Sequence, residues 1–288
     1  MSVQAKLGRC RSSRLWRGVG TALGFIAFGL CALTIGWLLA PPIRLVSRDS
    51  HAAQRRVRRL VRLACRGFID ALRRLGVIDV RIDHTERLDM PGRLLLANHP
   101  SLIDALFLLA STPDACCIVK GQLADSPILR RVILAAGYIT TCEPRTVVGA
   151  ARRALAAGRP LLVFPEGTRS LPGQPVRLQR GAAAIALASG AWITPVRIRC
   201  APATLTKGEA WYRVPPSRPC FHIEVGAPLA PLAGGDASQQ AARDLTRHLE
   251  DYFNSPTWEE GPTDDHRAGT RTQAIDHRHP GTGRRHAG

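Results

Sequence analysis

The chain has 288 residues, 45% of them hydrophobic, which fits one α/β domain of ordinary size with appendages and enough apolar material for a core. Its formal net charge is +18, and residues 1–81 hold most of the excess, sixteen Lys and Arg against three acids, so this segment seeks a polyanionic surface, either nucleic acid or an anionic membrane. Eight scattered cysteines, with no C-x-x-C pair and no Cys/His ligand spacing, exclude a disulfide framework and a zinc site and fit reduced thiols in a cytoplasmic core.

No charge occurs between Arg17 and Arg44, and Val19–Ala40 is almost wholly apolar. About 20 such residues are enough to cross a bilayer as a helix. The apolar part of a cleaved signal peptide runs to only about 7–15 residues, and here Pro41-Pro42 stands where small residues would mark cleavage. Arg9, Arg11, Arg14 and Arg17 precede the segment, and Arg44, Arg48, Arg55, Arg56, Arg58 and Arg59 follow it. With both flanks basic, the positive-inside rule does not choose an orientation. A helix dipping into one leaflet, or a helical hairpin, puts both flanks on the cytoplasmic face. From about 53 to 75, Val57, Leu60, Val61, Ala64, Phe68, Leu72 and Leu75 recur at helical spacing. The other face carries Arg55, Arg58, Arg59, Arg62, Arg66 and Arg73. This reads as a membrane-surface helix, or as one packed on its own domain with a solvated basic face, and both can hold.

Beyond residue 77 the pattern changes. Leu94–Ala97, Ala115–Val119, Tyr138–Thr141, Leu161–Phe164, Ile193–Ile198 and Phe221–Val225 are predicted strands. Ile103–Ala110, Pro127–Ala136, Thr146–Ala157 and Leu178–Ala188 are predicted helices between them, and 237–253 a closing helix. The alternation implies an α/β fold, a mixed and largely buried sheet flanked by helices. Three regions follow: a basic N-terminus (1–75) with the apolar helix at about 19–40 and the amphipathic helix at about 53–75, a domain over 76–254, and a polar tail (255–288) without periodicity, expected to be disordered. His266, His277, His279 and His286 in that tail read as solvated residues rather than a metal site.

Two segments carry chemistry. Asn98-His99-Pro100-Ser101-Leu102-Ile103-Asp104 joins a predicted strand to a predicted helix. The turn lets Asp104 hold one ring nitrogen of His99, leaving the other free to take a proton from a hydroxyl. The bland alternative is a capping arrangement between Ser101 and Asp104, with His99 a surface turn residue. Phe164-Pro165-Glu166-Gly167-Thr168-Arg169-Ser170 follows another strand. It offers an acid, a glycine, a hydroxyl and an Arg at a strand end, a set suited to a phosphate or polyol, or else a polar turn with one surface ion pair.

Together these segments resemble the lysophospholipid acyltransferase family (1-acylglycerol-3-phosphate acyltransferase-like), which carries N-H-x-x-x-x-D and F-P-E-G-T-R-S blocks and a later Pro after an apolar strand, here Ile193-Thr194-Pro195-Val196. Lys120 and Leu123 sit where that family often has K-x-x-L, and Arg180-Gly181 where it often has a basic residue then Gly. The resemblance spans about 75–226 in order. It implies an acyltransferase domain behind a membrane-anchoring segment. His99 would be the general base and Asp104 its orienter. Asn98, Lys120, Arg145, Glu166, Gly167, Thr168 and Arg169 would bind substrate. The acyl donor would be a thioester of coenzyme A or acyl carrier protein, the acceptor a lysolipid hydroxyl, and the partner a lipid bilayer. It implies no metal, no organic cofactor and no nucleic acid, and a place on the inner membrane facing the cytoplasm. No G-x-S-x-G elbow is present, in keeping with direct transfer.

One block departs from the family. Many phosphate-using members have G-x-I-F-I-D-R, whereas Gly137–Glu143 ends on an acid, with Arg145 two positions on. This favours an acceptor without phosphate, such as a lyso-amino-acid lipid or a polyene lipid. Other classes consistent with the composition are a non-enzymatic basic binding protein and a hydrolase using the same His/Asp pair with water.

Overall fold

The computed structural model describes residues 13–141, 143–230 and 239–255. Arg9, Arg11, the first two positions of the expected closing helix and the tail with its four histidines lie outside them. Seven strands form one sheet: β1 (Asp79–Asp83), β2 (Leu94–Ala97), β3 (Cys116–Val119), β4 (Ile139–Thr140), β5 (Leu161–Val163), β6 (Ile193–Ala201) and β7 (Cys220–Val225). Their spatial order is β1-β7-β6-β2-β5-β3-β4. The five strands from β6 to β4 run parallel, β7 returns antiparallel to β6, and β1 lies parallel to β7. The sheet is therefore mixed, as expected. Strand β1 is an addition to the sequence reading. Its Asp-Val-Arg-Ile-Asp run alternates charge with apolar residues and stays half exposed at the sheet edge.

Central strands are apolar throughout because both faces are covered. Leu95 and Ala97 of β2, with Leu162 of β5, point into one core, shared with Phe68 and Leu72 and with Phe107 and Leu108 of α4 (Asp104–Ser111). Leu94, Leu96, Leu161 and Val163 point into the other. That core is closed by α7 (Pro144–Ala156), α8 (Arg180–Ser189) and α9 (Gln239–Asn254) through Ala151, Leu155, Ile185, Leu245 and Leu249. Two short helices, α5 (Gly121–Ala124) and α6 (Arg130–Ala136), link β3 to β4. Parallel pairing places the carboxyl ends of β2, β3, β4, β5 and β6 on one edge, where open α/β sheets bind ligands.

The N-terminus is a helical hairpin. Helix α1 (Arg14–Leu33) continues through a π-helical turn (Thr34–Leu39) into α2 (Ala40–Val46), and α3 (Ser50–Arg74) folds back along it. Arg14–Val46 is long and apolar enough to cross a membrane by length and composition. Its inner face is nevertheless docked on the domain. A Cβ on Gly20 would come within 2.6 Å of Val77, and one on Gly24 within 2.8 Å of Leu72. Trp16 Nε1 donates to Leu75 O at 2.8 Å, and Arg17 donates to the carbonyls of Pro215 and Pro216 at 2.9 Å. Leu15, Val19, Leu23, Ile26 and Leu30, at three- and four-residue steps, remain exposed on the outer face.

Helix α3 corrects part of the reading of its basic face. Arg58 is only 4% exposed: it pairs with Asp114 at 2.8 Å and donates to Ala136 O at 2.8 Å. Arg62 and Arg66 both donate to Ala110 O, at 3.2 and 3.0 Å. The last carbonyls of a helix lack internal donors and carry partial negative charge, so arginines beside the end of α4 are drawn to it. Arg59 and Arg73 stay exposed on α3, as does Arg55 beside Asp114.

The glycine seam gives a paired test. Gly20→Leu should destabilise the fold by about 1–3 kcal/mol, the usual cost of overpacking. Gly29 has open space within 4 Å of its would-be Cβ, so Gly29→Leu should be neutral or stabilising by up to about 1 kcal/mol. Thermal unfolding of both variants in one detergent checks this, and equal midpoints would contradict the docked arrangement of α1.

Candidate active site

The turn after β2 is tied down from three sides. Asn98 is buried: its Nδ2 donates to Ile198 O at 2.9 Å, and its Oδ1 accepts from Ile198 N at 2.6 Å. The side chain thereby extends the β2–β6 pairing by one step, and both of its polar atoms are spent on the backbone. Next, His99 N donates to Glu166 Oε1 at 2.9 Å and to Ser170 Oγ at 3.1 Å, while Ser170 Oγ donates to the same Glu166 oxygen at 2.6 Å. Ser170 N closes the loop by donating to His99 O at 2.8 Å. The His99 ring stacks on Phe164, with centroids 4.2 Å apart.

Asp104 opens α4 and is fully buried. Its Oδ2 lies 2.9 Å from His99 Nδ1 and accepts from Ser101 N at 2.6 Å. The capping contact and the orienting contact thus coexist in one carboxylate oxygen. An ionised acceptor at Nδ1 places the ring hydrogen there and leaves Nε2 with its lone pair. That nitrogen makes no hydrogen bond among the described residues. His99 keeps a fifth of its side chain exposed. Burial pushes the Asp104 carboxyl up to about 6, against the opposing pull of His99 and of the Ser101 amide. Its second oxygen, buried without a partner, belongs to the same desolvated setting.

The loop after β5 supports this turn. Gly167 has φ +67°, a conformation that favours glycine, and the flexible Gln179 amide lies against it. Arg169 Nη1 donates to Leu205 O and Thr206 O, both at 2.9 Å, and Leu102 N donates to Leu205 O at 3.1 Å. Thr168 is half buried beside it. Lys120, at the end of β3, is exposed and precedes α5. Arg145 is exposed in the first turn of α7, beside Val148 and Arg152. His99, Asp104, Glu166 and Ser170 therefore form one bonded cluster. Lys120 follows β3 and Arg145 follows β4, and among the described residues neither makes a hydrogen bond or ion pair to the cluster.

Residues 79–199 match the family model described as Acyltransferase. Residues 79–199 are thus similar to that family's domain, over less than half of the chain. A curated 1-acyl-sn-glycerol-3-phosphate acyltransferase from Helicobacter pylori is 30% identical over 101 residues, 33% of this chain and 43% of that protein. The match thus spans less than half the length of this curated relative. The crystal structure of the 1-acyl-sn-glycerophosphate (LPA) acyltransferase PlsC from Thermotoga maritima superposes with a TM-score of 0.61 at 21% identity. It covers 81% of this chain and 94% of that one, and shows the shared fold.

At this site, two participants were not singled out from sequence. Ser170 bridges Glu166 and His99, and its signal was only its place closing the Phe164–Ser170 block. The Leu205–Thr206 carbonyls that hold Arg169 had none, because the contact joins segments 36 residues apart whose approach depends on β6.

The buried carboxylate makes two linked predictions. Its folded value lies above the ordinary 3.8, so the folded chain holds this proton more tightly than the unfolded one. The stability it contributes is full below about 4 and is lost as pH rises through about 6. At neutral pH the ionised group costs on the order of a few kcal/mol. Asp104→Asn should therefore raise the melting temperature at pH 7 and flatten its dependence between those values. A variant that melts lower than wild type at pH 7 would contradict the assignment.

Proposed function

We propose that the protein transfers a fatty acyl group from a thioester of coenzyme A or acyl carrier protein to the hydroxyl of a lysolipid. The observation that carries this reading is the His99–Asp104 contact at 2.9 Å, with Nε2 free at the ligand-binding edge of the sheet. Nε2 takes the proton of the acceptor hydroxyl as its oxygen attacks the thioester carbonyl. The new C–O bond forms, the C–S bond breaks, and the thiolate leaves and takes the proton back from the imidazolium. The products are an ester and a free thiol, and no acyl-enzyme is formed. Asp104 steadies the imidazolium while it exists. General-base help of this kind contributes about 10²–10⁴-fold.

The acceptor we favour is 1-acylglycerol-3-phosphate, the substrate class in the names of the H. pylori and T. maritima proteins. Glu143, standing where many such enzymes have Arg, argues for a head group without phosphate. Its local setting weakens that objection. Glu143 is the residue before α7, with extended backbone (ψ 131°) fixed by Pro144, and its carboxylate accepts from Thr146 Oγ1 at 3.3 Å. The acid is thus engaged at the start of its own helix, while Arg145 is exposed one turn earlier than Val148. Lys120, Arg145 and the unbonded part of Arg169, with Gly167 and Thr168, supply the donors and space for the acceptor head. Glu166 and Asn98 act by holding His99. The helical hairpin, with its exposed apolar face, binds this chemistry to a bilayer, with the domain on the cytoplasmic side of the inner membrane.

His99→Ala should reduce acyl transfer by at least about 10²-fold with the fold retained. The readout is lipid mass spectrometry of cells and purified protein, which identifies the product without a prior guess. Transfer at the wild-type rate by folded His99→Ala protein would end this mechanism. Arg145→Ala separates the acceptors. If Arg145 holds phosphate, the Michaelis constant for lysophosphatidic acid should rise by about tenfold or more, the loss of one charge-assisted bond, while that for an uncharged lysolipid stays level. An equal effect on both would favour the acceptor without phosphate.

A further inference from the structure

A second basic site lies away from the His99 loop. An open groove of about 760 Å³ runs between the bent N-terminal helix and α6, lined among others by Trp37, Arg44, Gln54, Arg130, Arg131 and Leu134. Its wall is built tightly. Gly36, within the π-helical turn, is where a Cβ would stand 3.0 Å from Arg131 and 3.2 Å from the Val132 backbone nitrogen, so a larger residue there would push α6 away. The Arg131 guanidinium stacks 3.5 Å over the Trp37 ring. No acidic residue lines the groove. Arg44, Arg130 and Arg131 make no ion pair or side-chain hydrogen bond among the described residues, so three arginines line the groove without a counter-charge. The rim is apolar: Trp37, Leu38 and Leu134 are each at least half exposed, in line with the bare face of α1.

We propose that this groove binds the phosphodiester head of an anionic phospholipid of the surrounding bilayer, a lipid distinct from the acyl acceptor. Arginines meeting tryptophan and leucine is the combination found at headgroup depth. The phosphate engages the arginines, and the glycerol and first methylenes lie on Trp37 and Leu134. His99, Asp104 and the Phe164–Ser170 loop do not line this groove, so it is a site apart from the proposed chemistry. The exposed Trp37, Leu38 and Leu134 beside the arginines favour lipid over a nucleic acid or an acidic protein. This rests on the membrane association proposed above, and the test keeps the two apart.

The test is flotation of the full chain with vesicles of phosphatidylcholine alone and of phosphatidylcholine with phosphatidylglycerol. The groove variant Arg44→Gln/Arg130→Gln/Arg131→Gln is compared with a control of equal charge, Arg59→Gln/Arg73→Gln/Arg74→Gln. Both should match wild type on neutral vesicles. On anionic vesicles the groove variant should lose about tenfold more affinity than the control, the value of one charge-assisted contact. Equal losses would mean diffuse attraction and overturn the site. Wild-type protein that floats with neither vesicle would overturn the membrane reading itself. If the triple variant fails to fold, Arg130→Gln against Arg59→Gln repeats the comparison, with about a fivefold difference expected; no difference would overturn the site.

Discussion

The buried carboxylate of Asp104 is the constraint around which the site is arranged. One oxygen serves both the His99 ring and the Ser101 amide. It does so at the first turn of α4, a helix whose other residues fill the core beneath β2. The cost of burying that charge is accepted because the same burial fixes the ring and keeps water from competing for Nδ1. The rest follows in layers. Asn98 locks the end of β2 to β6, Glu166 and Ser170 hold the His99 backbone, and Phe164 supports the ring. Arg169 then pins the segment after β6 over the same edge.

This division of labour changes how the two blocks are understood. The acid and arginine of the Phe164–Ser170 block were expected to meet substrate. Glu166 and one nitrogen of Arg169 instead hold backbone, while Lys120 after β3 and Arg145 after β4 are exposed. A site built this way is rigid at the base and open at the acceptor. That suits the proposed transfer, in which an acceptor hydroxyl approaches while His99 Nε2 stays fixed.

Much of the fold was legible in the sequence, for a physical reason. Strands β2, β5 and β6 are covered on both sides, so they appear as unbroken apolar runs between turn residues, and the pairing of His99 with Asp104 was readable because it is local. Strand β1 was missed because an edge strand has one partner and need not be apolar. The arginines of α3 show a different limit. Helical periodicity gives the face on which Arg58, Arg62 and Arg66 lie, but their partners, Asp114, Ala136 and Ala110, come from segments 44 to 78 residues away. In the same way, one apolar segment can be read as a span or as a docked helix until Gly20 and Gly24 are seen against Val77 and Leu72. In the fold Arg14–Val46 is one continuous helix, and α3 packs back against it.

The account stands on the tautomer that Asp104 imposes. Nitrogen-15 NMR of protein labelled in its histidine rings, with His99→Gln to assign the signal, reads that tautomer directly. At neutral pH the His99 ring should carry its hydrogen on Nδ1, with Nε2 unprotonated and sensitive to added lysolipid. A ring that carries its hydrogen on Nε2, with Nδ1 bare against the carboxylate, would contradict the general-base assignment at its root.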